Sequence, residues 1–82
     1  MRIIAGELRG RRLHPPTNLP VRPTTDLARE SLFNILRNKV DFEEISTLDL
    51  FTGTGSISFE FISRGVKQAM AIDGDQRCID FI

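Results

Sequence analysis

The spacing of apolar positions changes several times along the 82-residue chain, and each change marks an element. Arg2-Ile3-Ile4-Ala5 and Arg11-Arg12-Leu13-His14 read as two short strands, 2–5 and 11–14. Gly6-Glu7-Leu8-Arg9-Gly10 lies between them with glycine at both ends, which suits a hairpin with a longer loop. A lone hairpin is marginal in water, so this one should pack on something. Residues 15–23 hold four prolines in nine positions. Proline removes backbone donors and disfavours helix in the residue before it, so an extended, stiff linker is expected.

A helix is expected over 25–39, capped by Thr24 or Thr25, with Asp26 in its first turn. Ala28, Leu32, Ile35, Leu36 and Val40 follow helical spacing and predict one buried stripe. Asp26, Arg29, Glu30 and Arg37 collect on the opposite face, and Phe33 falls in the middle of that charged face. Such a ring either stacks on a base or packs beneath the hairpin.

The second half reads strand, glycine loop, helix, strand. Ser46 to Phe51 predicts the first strand and Thr52-Gly53-Thr54-Gly55 the loop. Ser56 to Arg64 predicts a helix that is apolar nearly all round, through Ile57, Phe59, Phe61 and Ile62, and therefore buried. Gly65 stands where a helix-ending glycine belongs. Gln68 to Ile72 predicts a second strand ending at Asp73, and residues 75–82 begin another helix. This order is a βαβ unit with parallel strands and a right-handed crossover, the start of a doubly wound α/β sheet. Two parallel strands cannot cover both faces of a sheet, so little stability is expected from the unit alone. Two regions result: residues 1–23, a basic hairpin and linker, and residues 24–82, the α/β part.

Charge sharpens that division. The formal net charge is zero, but residues 1–40 carry eight bases and three acids, while residues 41–82 carry three bases and eight acids. The halves are +5 and −5. Such asymmetry suggests two different partners. No apolar run is long enough for a membrane helix, and Ile3-Ile4-Ala5 is too short for a signal core. The single cysteine, Cys78, excludes an internal disulfide framework and a multi-cysteine zinc site, so a reduced, cytoplasmic setting is expected with no metal.

The chemistry concentrates in Asp49-Leu-Phe-Thr-Gly53-Thr-Gly55. Glycines at a strand end let backbone approach a ligand closely, and the next helix offers unpaired N–H groups. Asp73, at the end of the next strand, lies close to the spacing at which an acid accepts a ribose hydroxyl. Together they describe a nucleoside crevice. Ser58 stands at the third position of a G-x-G-x-x-G fingerprint, and no Gly-Lys supports a phosphate loop of the Walker kind. Asp49 before the loop would repel a pyrophosphate and suit a cationic ligand such as the sulfonium of S-adenosyl-L-methionine (SAM). A dinucleotide-binding oxidoreductase is therefore the weaker reading. At the other end, Arg2, Arg9, Arg11, Arg12 and Arg22 look like a nucleic-acid footprint, because guanidinium makes bidentate contacts to phosphate. A non-catalytic RNA-binding module would need these arginines but not the glycine loop.

These residues carry a resemblance. Met1-Arg-Ile-Ile-Ala-Gly-Glu-Leu-Arg-Gly-Arg-Arg-Leu, then Arg22-Pro-Thr-Thr-Asp-Leu-Ala-Arg-Glu-Ser-Leu-Phe-Asn-Ile-Leu, then Leu48-Asp-Leu-Phe-Thr-Gly-Thr-Gly-Ser closely resemble the RsmD family. These are bacterial SAM-dependent methyltransferases with a Rossmann-like fold that act on a guanine N2 of 16S ribosomal RNA. The resemblance implies that Asp49, Phe51, Thr52, Gly53, Thr54 and Gly55 form the methyl-donor loop and Asp73 the ribose-binding acid. It implies RNA contact by Arg2, Arg9, Arg11, Arg12, Arg22, Arg29 and Phe33, with 16S RNA or a small-subunit assembly intermediate as partner. Family members also carry an Asn/Asp-Pro-Pro-Tyr/Phe motif that holds the target amine. Here Pro15-Pro16 leads into Thr17, and no Pro-Pro precedes an aromatic residue. The chain is therefore expected to be the N-terminal part of such an enzyme, with no catalytic residue and no activity alone.

Overall fold

The computed structural model describes residues 1–15 and 24–82. The linker expected over 15–23 and Arg22 lie largely outside them. The elements run α1 (Asp26–Leu36), a 3-10 turn (Phe42–Glu44), β1 (Ser46–Leu50), α2 (Ser56–Ser63), β2 (Gln68–Ile72) and α3 (Gln76–Phe81). β1 and β2 pair in parallel, with Leu48 opposite Met70 and Leu50 opposite Ile72. α2 crosses between them and covers one face of the sheet, as the βαβ reading requires.

Local chemistry explains the boundaries. Thr25 Oγ1 accepts from Ala28 N at 3.1 Å and caps α1. Asp41 Oδ1 accepts from Glu43 N at 3.1 Å and opens the 3-10 turn. Gly65, at φ +94°, ends α2 in the left-handed conformation that glycine adopts without a Cβ clash. β1 stops at Leu50 rather than Phe51, because Phe51 itself turns left-handed at φ +60°.

Three expectations need correction. The N-terminal strands reduce to one antiparallel bridge, Arg2 with Arg12, around a turn over 5–10. The backbone of residues 4 and 5 spends its N–H groups on a side chain of α2, so no ladder forms there. The faces of α1 are also reversed. Arg29 and Phe33 point inward and are buried, while Leu27, Leu32 and Ile35 are exposed. Finally, the deepest residues of α2 are its polar ones, Ser56, Ser58, Glu60 and Ser63.

The interior is consequently mixed. Phe33, Phe42 and Phe61 form an aromatic cluster, with Phe33 and Phe61 edge to face at 4.7 Å between centroids. The guanidinium of Arg64 lies over the Phe33 ring at 4.6 Å. Beside this cluster the carboxylate of Glu60 pairs with Arg64 at 2.9 Å and with Arg29 at 3.4 Å. Arg29 also donates to Asp26 at 2.8 Å and to the carbonyl of Arg2. A buried guanidinium is tolerable only with such partners.

Candidate donor and RNA site

The glycine loop joins the carboxyl end of β1 to α2. Thr52 N donates to the carbonyl of Ile72 at 2.8 Å, which holds the loop beside the end of β2. Gly53 and Gly55 take φ of +59° and +80°. A Cβ on Gly55 would stand 3.0 Å from the Ile82 side chain and 3.1 Å from the Phe59 ring. The backbone conformation thus calls for glycine there, and a side chain would also have to press those two neighbours aside.

The two acids stand at the ends of neighbouring parallel strands, and each is tied into the loop. Asp49 Oδ2 accepts from Thr52 Oγ1 and from Ser58 Oγ, both at 2.8 Å. Asp73 Oδ2 accepts from Gly53 N at 2.8 Å, and its Oδ1 accepts from Asp75 N at 2.8 Å. The next helix is capped by Asp75, whose Oδ1 accepts from Arg77 N, so Asp73 is left to hold the loop. Hydrogen bonds from Arg77 and its charge hold the Asp75 carboxyl below its ordinary value. Burial and the carboxylates of Asp73 and Asp75 push the Cys78 thiol up, against the opposing charge of Arg77.

Phe51 is the loop's unusual residue. It is 89% exposed and holds a left-handed backbone. Non-glycine residues in that conformation carry a cost of roughly 1–3 kcal/mol and cluster at binding sites. Thr54, by contrast, is buried, and its hydroxyl lies 3.8 Å from the sulfur of Met1. The N-terminal segment therefore touches the glycine loop.

Arg2, Arg9, Arg11 and Arg12 are all exposed, and among the described residues no ion pair engages their guanidinia. They stand around the turn over 5–10 and offer a basic edge. Arg29 and Phe33 do not join it. The resemblance implies RNA contact for both, yet both are closed in, Arg29 by Glu60 and Asp26, Phe33 by two other rings. Two further residues matter more than their sequence context suggests. Ser58 looks like no more than an imperfect fingerprint position, yet its hydroxyl fixes Asp49. Glu60 carries a signal that hydropathy alone passes over: it is the one acid of α2, and Arg64 one turn on is spaced to pair with it. No group of three or more metal-ligating side chains occurs among the described residues, and among them no helix is long and apolar enough to cross a membrane.

Known proteins resemble this arrangement along the whole chain. Ribosomal RNA small subunit methyltransferase D of Escherichia coli K12 is 41% identical over 76 residues, covering 93% of this chain and 37% of that protein. YlbH of Bacillus subtilis strain 168 is 37% identical over 82 residues, covering all of this chain and 44% of YlbH. The solved structure of yhhF from Escherichia coli, named as a methyltransferase, superposes with a TM-score of 0.80 at 36% identity, covering 98% of this chain and 41% of that one. The chain thus spans less than half the length of these relatives. The family model described as "Conserved hypothetical protein 95" matches residues 1–82, and with these relatives it shows that the chain belongs to the RsmD family of Rossmann-like methyltransferases.

Proposed function

We propose that this chain is the donor-binding and RNA-contacting part of an enzyme that transfers a methyl group from SAM to an exocyclic guanine N2 of 16S ribosomal RNA. One observation carries the reading. Asp49 and Asp73 end neighbouring parallel strands on either side of a glycine loop that also presents Phe51 to solvent. A crevice at the carboxyl ends of parallel strands is where α/β sheets take nucleosides. The site's chemistry fits SAM: two carboxylates suit a cationic donor with a ribose, and they oppose a pyrophosphate. Bound SAM would supply a methyl already activated by its sulfonium. The chain's share is to hold and orient that donor through Asp49, Phe51, Thr52, Gly53, Thr54, Gly55 and Asp73. Arg2, Arg9, Arg11 and Arg12, with Arg22 beyond the described residues, supply the phosphate contacts. The partner is 16S RNA, free or in a small-subunit assembly intermediate, in the cytoplasm.

Calorimetry with SAM and with NAD tests the donor. SAM should bind and NAD should not. Asp73→Asn keeps an acceptor for Gly53 N but loses the charge, and it should weaken SAM binding about tenfold, as for a lost charged hydrogen bond. Equal affinity for NAD would return the site to dinucleotide chemistry. No amine-holding motif stands in the 82 residues, so purified chain should add no methyl groups to ribosomal RNA.

A further inference from the structure

The arginine-bearing turn is not held by a sheet. Its backbone is fastened to the C-terminal half of α2. Glu60 accepts from Ile4 N at 2.8 Å and from Ala5 N at 3.1 Å. The carbonyl of Ser63 accepts from Glu7 N at 2.8 Å. Ser63 Oγ accepts from Leu8 N at 2.9 Å and donates to the carbonyl of Ala5 at 2.6 Å. Five hydrogen bonds thus join residues 4–8 to two buried side chains and one carbonyl of a single helix.

The approach is very close. A Cβ on Gly6 would stand 2.0 Å from the carbonyl oxygen of Ser63, and Gly6 takes φ +87°. The arginines follow at once. Arg9 N donates to the carbonyl of Gly6 and Arg11 N to that of Leu8, so the turn that displays them is built on clamped residues. An apolar contact could hold such a turn at lower desolvation cost, but it would leave its register loose. Directional bonds to a buried carboxylate and hydroxyl leave one orientation.

We infer that Glu60 and Ser63 are positioning residues that hold the arginine turn in one orientation against α2 and so preorganise its guanidinia for an RNA backbone. This rests on the RNA reading above. Preorganised groups lose less freedom on binding, so the gain appears in affinity. The clamp stands on the same helix whose first turn follows the donor loop, about 6 to 10 Å further along at 1.5 Å per residue.

Ser63→Ala and Gly6→Ala in the 82-residue chain test the clamp without removing a buried charge. Amide hydrogen exchange reads the clamp itself. Exchange at Leu8 should quicken about tenfold or more in both variants, and at Glu7 in Gly6→Ala, while Ala69 and Ala71 in β2 stay slow. Binding of a labelled RNA hairpin, followed by anisotropy across a salt series, reads the consequence. Affinity should fall about tenfold, and the slope of log K against log salt should become shallower by roughly 0.7 for each phosphate that the turn no longer engages. Arg9→Ala and Arg11→Ala should flatten the slope with exchange unchanged. Faster exchange with unaltered affinity and slope would overturn the positioning role, and so would unaltered exchange in both variants. A wild-type chain with no salt-dependent RNA affinity would instead overturn the RNA reading, and the exchange data would still report whether the clamp exists.

Discussion

The two sides of the β1–β2 sheet are built on opposite terms. On the α2 side buried polar and charged groups, Arg29, Ser56, Ser58, Glu60 and Ser63, stand beside the buried Phe33 ring. On the other side Leu48, Leu50, Met70 and Ile72 stand in register and exposed, Leu48 at 59%. Leu27, Leu32 and Ile35 add an exposed apolar face on α1. Parallel sheets are normally covered on both faces. The covered side is held by specific pairs that fix where the N-terminal turn stands. The open side carries mostly apolar surface, with Ser46 and Gln68 at its edge, and relatives more than twice as long share this fold. Position is thus set by buried polar groups beside the aromatic cluster, and the apolar groups of the open face remain free for cover.

Glu60→Ala attacks the polar side most directly. It leaves Arg29 and Arg64 without their shared carboxylate and frees the N–H groups of Ile4 and Ala5. A loss of about 3–5 kcal/mol is expected in urea unfolding, enough to abolish a cooperative transition in a domain this small. A change under about 1 kcal/mol would mean that the buried pairs contribute nothing net, and the contrast would collapse. Thr25→Ala comes next. It removes the cap of the helix that carries Arg29 and should cost about 1 kcal/mol.

Acid should act on the same seam. Burial raises the Asp26 carboxyl, but hydrogen bonds from Arg2 N and Arg29, with the charges of Arg29 and the N-terminus, outweigh it and leave it below its ordinary value. A lowered carboxylate stabilises the fold above its unfolded pKa, and that contribution is lost as pH falls through the folded one. Asp26 is 41% exposed in its side chain, so solvent screens the effect and it should be small. Urea midpoints of the wild type should drop on the acid limb, and Asp26→Asn should flatten that limb. The smallest effect belongs to the open side. Leu50→Thr should change stability by no more than about 0.5 kcal/mol, as at other exposed sites, and should reduce self-association in sedimentation. A loss beyond about 2 kcal/mol would show that this face is already covered.

Much of this is legible along the chain. The bounds of β2 follow to the residue, because the apolar run Ala69 to Ile72, entered through Gln68, lies between Lys67 and Asp73. The glycine loop and its two acids are legible too, since a strand end, paired glycines and an acid after the next strand form a local pattern. The faces of α1 are not. Periodicity assigns burial by hydropathy, and Leu32 and Ile35 outrank Arg29 on that scale. What buries Arg29 is a carboxylate on another helix, which no window along the chain can contain. The N-terminal strands fail for a related reason: the donors that would have built a ladder go to Glu60.

Phe51 has a consequence for attempts to improve this protein. A left-handed backbone disfavours any side chain by about 1–2 kcal/mol, and glycine there would be free of that cost. The Phe51 ring, almost wholly in solvent, returns little to the fold. A thermal-stability screen would therefore favour Phe51→Gly, and so delete the one aromatic side chain on the glycine loop, the ring proposed to meet the donor. Selection for stability and selection for ligand binding would pull this position in opposite directions.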